Sequence, residues 1–369
     1  MATSWILRKG TKARGFRYED AAGRRISDAA TLARIDALRV PPAWTDVHLA
    51  RRARAAIQAW GFDAKGRRQY RYHTEAAERG QLRKYYRVRE MGHALPRLRR
   101  RVRRDAASPR QDVGTVSAIV VRLISEGFFR PGSERSTEEN RTFGITTMRK
   151  SHVRVDGDCV YFRYVGKGRV SQRQCVVGRA LARAVDRLLE SPGRRLFRFQ
   201  DGAGRWHDLD ARDVNRYLRE RCGVEYSAKD FRTWGGTLRA ATVLAELGAA
   251  DSATDAKRSV AMAMRLVSAE LGNTPAICRK SYVHPIVIAK YLDEGETVAV
   301  RGRGAGAGGH TAEELALLEF LDRHFPERRD TPRARERKPA APRPPAAKRA
   351  SAKRAPAARK RLTGRRSSR

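Results

Sequence analysis

Hydrophobic and polar positions divide the chain into a short β-rich beginning and a longer, mainly helical remainder. Apolar positions in residues 3–28 form short runs broken by glycines, which predicts short strands, and residues 47–72 have the same character. Residues 113–126 form an almost continuous apolar run, which predicts a buried helix. The pattern predicts further helices over residues 31–38, 74–104, 178–191, 211–221, 227–247, 251–271, 274–292 and 311–324.

Apolar and polar residues alternate between residues 146 and 177. Asp156-Gly157 and Gly166-Lys167-Gly168 are turn signals, so this stretch predicts a three-stranded antiparallel sheet. Lys167 lies at the tip of the second hairpin, where a lysine is usually solvated but can also reach into a groove. The fold class is therefore predicted to be α+β, with a small β-rich N-terminal domain and a mainly α-helical domain that contains this sheet.

Changes in composition predict the domain boundaries. We expect a β-rich domain over residues 1–75, a helical connector over 76–112, the larger domain over 113–295, and a linker with a terminal helix over 296–326. Residues 327–369 contain 17 basic and 3 acidic residues and consist largely of Arg, Lys, Ala, Pro and Ser. Such a segment cannot form a core, so a disordered basic tail is expected.

The charge balance indicates the kind of partner. The chain has 79 basic and 40 acidic residues, a formal net charge of +39. This excess favours a polyanion, with nucleic acid ahead of an anionic membrane surface. No apolar run approaches the roughly 18 residues of a membrane span, so we expect no membrane association and a cytoplasmic, nucleoid-associated protein.

Metal and cofactor chemistry have little support in the sequence. The four cysteines lack C-x-x-C spacing, which argues against a zinc ribbon and a secreted disulfide framework. The eight histidines and the scattered carboxylates form no evident cluster. We therefore expect neither a metal nor a cofactor.

Residues 271–282 contain the strongest candidate for chemistry. Gly272 is suited to end one helix, Thr274 to cap the next, and Pro275 to occupy its first position. The new helix carries Tyr282. Because a tyrosine on an apolar helix face is usually a core residue, the local pattern leaves both a core residue and a nucleophile open.

Four residues elsewhere complete a pattern with Tyr282. Arg130 lies in Phe-Phe-Arg-Pro-Gly, Lys167 in Tyr-Val-Gly-Lys-Gly-Arg, and Arg232 in Lys-Asp-Phe-Arg-Thr-Trp-Gly. Asn273 precedes Tyr282 by nine residues. In this order, the set resembles the active site of the small poxvirus-type and bacterial type IB DNA topoisomerases. The resemblance covers roughly residues 3–325 and implies a tyrosine recombinase/type IB topoisomerase-like catalytic domain.

A second stretch, Gly-Phe-Asp-Ala-Lys-Gly-Arg-Arg-Gln-Tyr-Arg-Tyr at residues 61–72, is similar to the signature of the family's amino-terminal DNA-binding domain. Alternation along a strand places Tyr70 and Tyr72 on one face. The pattern alone is equally compatible with DNA contacts and with a structural role, in which the tyrosines form a cross-strand aromatic pair and the arginines are solvated. The resemblance favours DNA contacts, and the candidates are Lys65, Arg67, Gln69, Tyr70 and Tyr72.

The resemblance implies a role for each residue of the catalytic set. Tyr282 would attack a DNA phosphorus and form a 3′-phosphotyrosyl ester, which permits relaxation of supercoils by transient single-strand cleavage without ATP. Arg130, Arg232 and Asn273 would stabilise charge on the phosphate oxygens. Lys167 would protonate the leaving sugar oxygen, so no metal is required. The expected partner is double-stranded DNA, clamped by a monomer.

The chain departs from the family pattern at two places. The poxvirus-type enzymes carry histidine where this chain has Asn273, which can donate a hydrogen bond but cannot shuttle a proton. The segment after Arg130, Pro-Gly-Ser-Glu-Arg-Ser, lacks the lysines and the tyrosine that viral relatives use in site recognition. Arg135 retains one cation there, so the strict site preference of the viral enzymes is not implied.

Two other functions remain open at this stage. A tyrosine recombinase uses the same chemistry, although Lys229 stands three residues before Arg232, where recombinases typically carry histidine. Lys229 and Arg135 are further candidate DNA contacts. A non-catalytic nucleoid protein that coats or bends DNA would also suit the charge and the basic tail.

Overall fold

The computed structural model describes residues 5–223, 226–302 and 309–325. Its N-terminal part is a five-stranded antiparallel sheet with the strand order β2-β1-β3-β4-β5. The elements are β1 (Trp5–Thr11), β2 (Gly15–Glu19), α1 (Ala29–Ala37), β3 (Thr45–Ala50), β4 (Ile57–Phe62) and β5 (Arg68–Tyr72).

The two faces of this sheet differ because side chains alternate along each strand. One face forms a small hydrophobic core with α1, consisting of Ile6, Ile35, Val47, Leu49 and Ala59. The opposite face carries half-buried aromatic rings, and His48 and Trp60 stack there with ring centroids 3.8 Å apart.

Helix α2 (Thr74–Ala106) leads from the sheet into the larger domain and packs within its core. Val88, Leu95 and Val102 recur at intervals of seven residues and are buried, so they form an apolar stripe along one side of the helix. The helices that contact α2 include α3 (Val113–Gly127), α7 (Ala228–Leu247) and α11 (Ala312–His324).

The remainder of the larger domain contains two small sheets and further helices. The predicted three-stranded antiparallel sheet has the order β6-β7-β8, and a two-stranded sheet that the pattern did not predict pairs β9 with β10. The elements are α4 (Glu134–Asn140), β6 (Val153–Asp156), β7 (Cys159–Val165), β8 (Ser171–Val177), α5 (Arg179–Leu189), β9 (Arg198–Gln200), β10 (Trp206–Asp208), α6 (Ala211–Arg221), α8 (Ala253–Leu271), α9 (Pro275–Ser281) and α10 (Pro285–Glu294).

The helix expected over residues 274–292 is divided into α9 and α10. Pro285 has no N–H to continue a helix and instead occupies the first position of α10. His284 caps α10, because its Nδ1 accepts a hydrogen bond from the N–H of Ile286 at 3.2 Å. Tyr282 therefore lies at the junction of two helices and not on a continuous helix face.

The predicted α+β fold class is confirmed, with a β-rich N-terminal region followed by a mainly helical one. Residues 145–152 differ in detail, since two short 3₁₀ turns replace part of the expected extended structure. The predicted disordered tail from residue 327 lies outside the described residues. Among the helices that the structure describes, none combines the length and apolar character needed to span a membrane.

Candidate active site

Four of the five candidate catalytic residues line one cavity of about 850 Å³: Arg130, Lys167, Asn273 and Tyr282. The fifth, Arg232, lines a smaller cavity that shares Arg130 and Lys167 with the first. These side chains come from the α3–α4 connection, the β7–β8 turn, α7, the α8–α9 turn and the α9–α10 junction. Tertiary structure therefore brings together residues that are far apart in the sequence.

Arg130 is positioned by the ends of two helices. Helix α3 ends at Phe128, which adopts a left-handed conformation with φ 52°. The Nη1 of Arg130 donates a hydrogen bond to the carbonyl of Gly272 at 2.8 Å. Gly272 ends α8 with φ 59°, and a Cβ there would lie 2.4 Å from Oε1 of Gln172. Glycine is thus required at residue 272 for its conformation and for close packing.

Arg232 is a buried cation, with 3% of its surface exposed. It donates hydrogen bonds to the carbonyls of Phe128 and Leu271, the latter at 2.6 Å. Its Nε is buried and has no partner among the described residues. Burial, followed by repulsion from Arg130, lowers the pKa of Arg232. An anion at this position would satisfy the remaining donor and offset the repulsion.

Tyr282 lies against Arg232, whose guanidinium carbon is 5.1 Å from the centroid of the phenol ring. Burial on its own raises the pKa of Tyr282. The positive charge of Arg232 and its hydrogen bond with the phenol, together with the charges of Arg130 and Lys229, outweigh that effect and hold the pKa below its ordinary value of 10.0. The environment therefore makes the phenol of Tyr282 easier to deprotonate than an ordinary tyrosine.

A second tyrosine near the same arginines, Tyr164, has a raised pKa where Tyr282 has a lowered one. Tyr164 is 7% exposed, and its hydroxyl donates to Oε1 of Gln174 at 3.2 Å. Burial raises the pKa of Tyr164 to about 12, although Arg232 and Arg130 act to lower it. Tyr164 is consequently a core residue beside the site, and the contrast distinguishes Tyr282 from it.

The side-chain amide of Asn273 is buried without a partner. Neither Nδ2 nor Oδ1 has a hydrogen bond to any described residue. Buried polar side chains in proteins are almost always hydrogen-bonded, so the unpaired amide indicates a ligand that completes it. Because Asn273 lines the larger cavity, an oxygen atom bound there could accept its N–H.

Two lysines lie at the exposed edge of the site. Lys167 occupies the turn Lys167–Arg169 between β7 and β8, as the turn signals predicted. It is exposed, so the desolvation expected of a general acid would have to come from a bound duplex. Lys229, predicted as a DNA contact, lies in the first turn of α7, and its charge acts on Tyr282. Lys229 therefore belongs to the electrostatic surroundings of Tyr282.

The candidates at the β4–β5 connection surround Asp63. Its Oδ2 accepts hydrogen bonds from Nε of Arg67 at 2.8 Å and from Nε2 of Gln69 at 2.9 Å, and its Oδ1 accepts from the backbone N–H of Lys65 at 3.0 Å. The bond with Arg67 is the main reason why the pKa of Asp63 is lowered. Arg67 and Gln69 thus shape this hairpin, and part of their hydrogen-bonding capacity is used within it.

Tyr70 and Tyr72 share one face of β5, as alternation predicted. Their rings stack with centroids 5.8 Å apart, and they are 38% and 55% exposed. Trp60, on β4, is the cross-strand neighbour of Tyr70, and the guanidinium carbon of Arg68 lies 3.8 Å from its ring centroid. The sequence analysis did not identify this aromatic and cationic cluster around Trp60, although alternation along β4 places Trp60 opposite the core. Such a surface is suited to a nucleic acid.

Arg135 and Lys65, proposed separately from sequence, are in contact. The Nη2 of Arg135 on α4 donates to the backbone carbonyl of Lys65 at 2.6 Å, while its Nε bonds to Glu139 at 2.6 Å. The N-terminal sheet and the larger domain are thus joined by this contact as well as by α2. No cluster of three or more metal-ligating side chains occurs in the part of the chain that the structure describes.

Known protein families match both parts of the chain. The family model for the catalytic core of eukaryotic DNA topoisomerase I matches residues 74–300, and the model for the N-terminal domain of bacterial DNA topoisomerase IB matches residues 15–63. DNA topoisomerase 1B of Acanthamoeba polyphaga mimivirus is 29% identical over 270 residues, which cover 71% of this chain and 80% of the relative. DNA topoisomerase 1B of Vaccinia virus (strain Copenhagen) is 23% identical over 242 residues, covering 63% and 72%. Since the first model spans more than half of the chain, the protein belongs to the type IB DNA topoisomerases.

Proposed function

We propose that this topoisomerase relaxes supercoiled duplex DNA through a covalent bond between Tyr282 and a 3′ phosphate. The observation that carries the proposal is the position of the Tyr282 phenol, which lies against buried Arg232 and lines the same cavity as Arg130, Lys167 and Asn273. Tyr164, which also lies near these arginines, has a raised pKa, whereas the pKa of Tyr282 is lowered.

The proposed reaction is a transesterification at a DNA phosphorus atom. The phenol oxygen of Tyr282 attacks phosphorus and its proton passes to solvent, a P–O bond to tyrosine forms, and the P–O5′ bond of the DNA breaks. Lys167 gives a proton to the departing O5′. Because one phosphodiester replaces another, the bond energy is retained and the reverse attack by O5′ reseals the strand without ATP.

Charge on the phosphate is stabilised by groups that the fold holds in place. Arg130 and Arg232 supply permanently charged guanidinium groups, and the unpaired N–H of Asn273 supplies a neutral donor. These donors are positioned before the substrate arrives, so little reorganisation is needed when charge develops. The scheme requires no metal ion.

The two folded parts are proposed to enclose the duplex as a monomeric clamp. The aromatic face of the N-terminal sheet would lie on one side of the DNA, with Tyr70 and Tyr72 exposed towards it, and the catalytic cavity on the other. The contact of Arg135 with Lys65 would close the clamp after DNA has entered. The net charge of +39 supports a cellular location on the bacterial nucleoid.

The test compares wild type with Tyr282→Phe in plasmid relaxation with EDTA and without ATP. We expect Tyr282→Phe to bind DNA but not to relax it, and denaturant-quenched wild type to carry DNA on residue 282 through a 3′ phosphate, as read by mass spectrometry of the peptide adduct. Tyr164→Phe is the matched control and should still form the adduct. An adduct on a different residue, or relaxation by Tyr282→Phe, would exclude the proposal.

Strand exchange between specific sites would instead support the recombinase alternative, and binding without any covalent intermediate would support a coating protein.

A further inference from the structure

Two consecutive residues of α2 hold the backbone on both sides of Tyr282. The Nζ of Lys84 donates a hydrogen bond to the carbonyl of Ser281 at 3.1 Å. The hydroxyl of Tyr85 donates to the carbonyl of Val283 at 3.0 Å. The two donors are nearly two hundred residues from the turn in sequence, so these contacts are made only when the larger domain is folded.

The turn needs such donors because of its local structure. In a continuous helix the carbonyl of Ser281 would accept from the N–H of residue 285, but Pro285 has none. Tyr282 has non-helical angles, φ −129° and ψ −11°, at the end of α9. The carbonyls beside the nucleophile are therefore without regular helical partners, and side chains from α2 satisfy them.

The two donors are themselves fixed. Tyr85 is 5% exposed, and its ring lies 4.5 Å from the ring of His284. The Lys84 ammonium lies 4.0 Å from the centroid of the Tyr85 ring. Burial, followed by repulsion from Lys229, lowers the pKa of Lys84 to about 8, with Asp230 acting in the opposite direction. Lys84 is thus half-buried, and its ammonium is held between the Tyr85 ring and the carbonyl of Ser281.

Arg87, one turn further along α2, contacts the helix that carries Arg232. The Nη2 of Arg87 donates to Oδ1 of Asp230 at 2.8 Å, and Asp230 is 1% exposed. Asp230 in turn caps the start of α7 by accepting from the N–H of Ser227 at 2.8 Å. Since α7 carries Arg232, one short segment of α2 contacts both the turn of the nucleophile and the helix of the arginine beside it.

We propose that Lys84 and Tyr85 are positioning residues that hold the phenol of Tyr282 in line with the scissile phosphorus. The inference rests on the proposed role of Tyr282. Neither residue lines the catalytic cavity, so both act through the backbone of residues 281–283. A nucleophile displaced by about 1 Å reacts about 10²-fold more slowly even when substrate still binds.

The experiment measures single-turnover cleavage and DNA affinity separately in the full-length protein. Lys84→Gln is expected to lower the cleavage rate by about 10²-fold, and Tyr85→Phe, which removes one hydroxyl, by about tenfold. DNA affinity should be unchanged in both. Lys84→Arg should recover much of the rate, because a guanidinium can donate to the same carbonyl.

Two matched variants separate positioning from general stability. Arg83→Gln removes an exposed cation from the same helix, and Tyr291→Phe removes a buried tyrosine hydroxyl that donates to the carbonyl of Gly248 at 2.9 Å. Tyr291→Phe should lower the melting temperature about as much as Tyr85→Phe does, and both controls should cleave at the wild-type rate.

Wild-type cleavage by Lys84→Gln and Tyr85→Phe overturns the inference, and so does a rate loss of equal size in Tyr291→Phe. If Tyr282→Phe itself cleaves DNA, the proposed function fails instead, which is a distinguishable result.

Discussion

At residue 273 the chain carries an asparagine where its poxvirus-type relatives carry histidine. An asparagine can donate an N–H to a phosphate oxygen but cannot transfer a proton at neutral pH. Both polar atoms of the Asn273 amide are buried and unpaired among the described residues, so its N–H has no partner that competes with a phosphate oxygen. We therefore assign to this position a donor role without proton transfer.

Substitution of Asn273 tests that assignment. Asn273→Ala should lower the single-turnover cleavage rate by about 10²-fold, as loss of one transition-state donor does elsewhere. Asn273→His should remain active, because an imidazole N–H can donate to the same oxygen. Rates are measured at saturating DNA. An Asn273→Ala enzyme that cleaves normally would show that this amide makes no contact with the reacting phosphate.

His284 makes stability depend on pH. Burial lowers its pKa to about 3, with Lys84 adding repulsion, so the folded protein keeps the ring neutral while the unfolded chain takes up a proton below pH 6.5. Stability supported by the neutral ring is complete above pH 6.5 and falls as the pH decreases towards 3, at about 1.4 kcal/mol per pH unit.

Urea unfolding of wild type and His284→Gln between pH 7 and pH 5 measures this contribution. The glutamine carbonyl can still accept from the N–H of Ile286, so α10 keeps a cap. The difference in unfolding free energy between the two proteins should shrink as the pH falls. Only the wild type has a histidine at residue 284 whose protonation in the unfolded chain favours unfolding. Parallel curves would mean that His284 is not the titrating group.

At the level of single residues, the sequence identified the candidate catalytic residues but not the residues that support them. Arg130, Lys167, Arg232, Asn273 and Tyr282 lie in motifs with distinctive neighbours. Lys84 and Tyr85 have no such motif, because periodicity in α2 predicts only a solvated lysine and a core tyrosine. Their partners are backbone carbonyls of a distant turn, and a hydrogen bond to a carbonyl leaves no signature in the residue type of the acceptor.

At the level of elements, α7 packs closely against the turn that carries Tyr282. A Cβ on Gly236 would lie 2.8 Å from the backbone oxygen of Tyr282 and 3.3 Å from its Cβ. The adjacent Gly235 similarly faces the ring of Phe128. Two glycines inside a helix are unfavourable by propensity, and here they allow a close approach that larger residues would prevent.

Gly236→Ala should displace the turn and lower the cleavage rate by about 10²-fold, with a loss of about 1–3 kcal/mol in unfolding free energy. Gly80→Ala is the matched control, because a Cβ at residue 80 of α2 meets nothing within 4 Å. That variant should gain about 0.5–1 kcal/mol from helix propensity and cleave normally. Equal cleavage rates for both variants would contradict a tight contact between α7 and the turn.

The helices and the three-stranded sheet were largely predictable because their periodicity and turn residues are local. The division between α9 and α10 was harder, since the pattern of residues 274–292 is only loosely helical and Pro285 was visible merely as an interruption. The 3₁₀ turns at residues 145–152 lie at the start of the stretch in which apolar and polar residues alternate, which is why extended structure was predicted there. Strands β9 and β10 have three residues each and are too short to show a period.

At the level of the molecule, the N-terminal sheet is joined to the catalytic domain by the continuous helix α2 and by a contact between α4 and the β4–β5 connection, where Arg135 donates to the Lys65 carbonyl and Glu139 attracts Arg67. The first is covalent, and the second can open. If DNA lies between the two parts, the protein forms a ring around the duplex whenever the second link is made. The sequence predicted Lys65 and Arg135 as separate DNA contacts. Their contact with each other could not be predicted, because it depends on how the two parts of the protein pack together.

Cross-linking that second link gives a topological prediction. Lys65→Cys and Arg135→Cys are combined in a Cys175→Ser background, since Cys175 is exposed, and the protein is loaded on relaxed circular DNA at low salt before a short bis-maleimide is added. High salt weakens phosphate contacts and should release the untreated double-cysteine protein. The cross-linked protein should stay on the circle, because the closed ring cannot leave it, and should be released when a restriction enzyme linearises the DNA. Retention is measured by gradient sedimentation in high salt. Release from intact circles after complete cross-linking would mean that Arg135 and Lys65 meet without enclosing DNA, and the clamp would have to be abandoned while the chemistry of Tyr282 could stand.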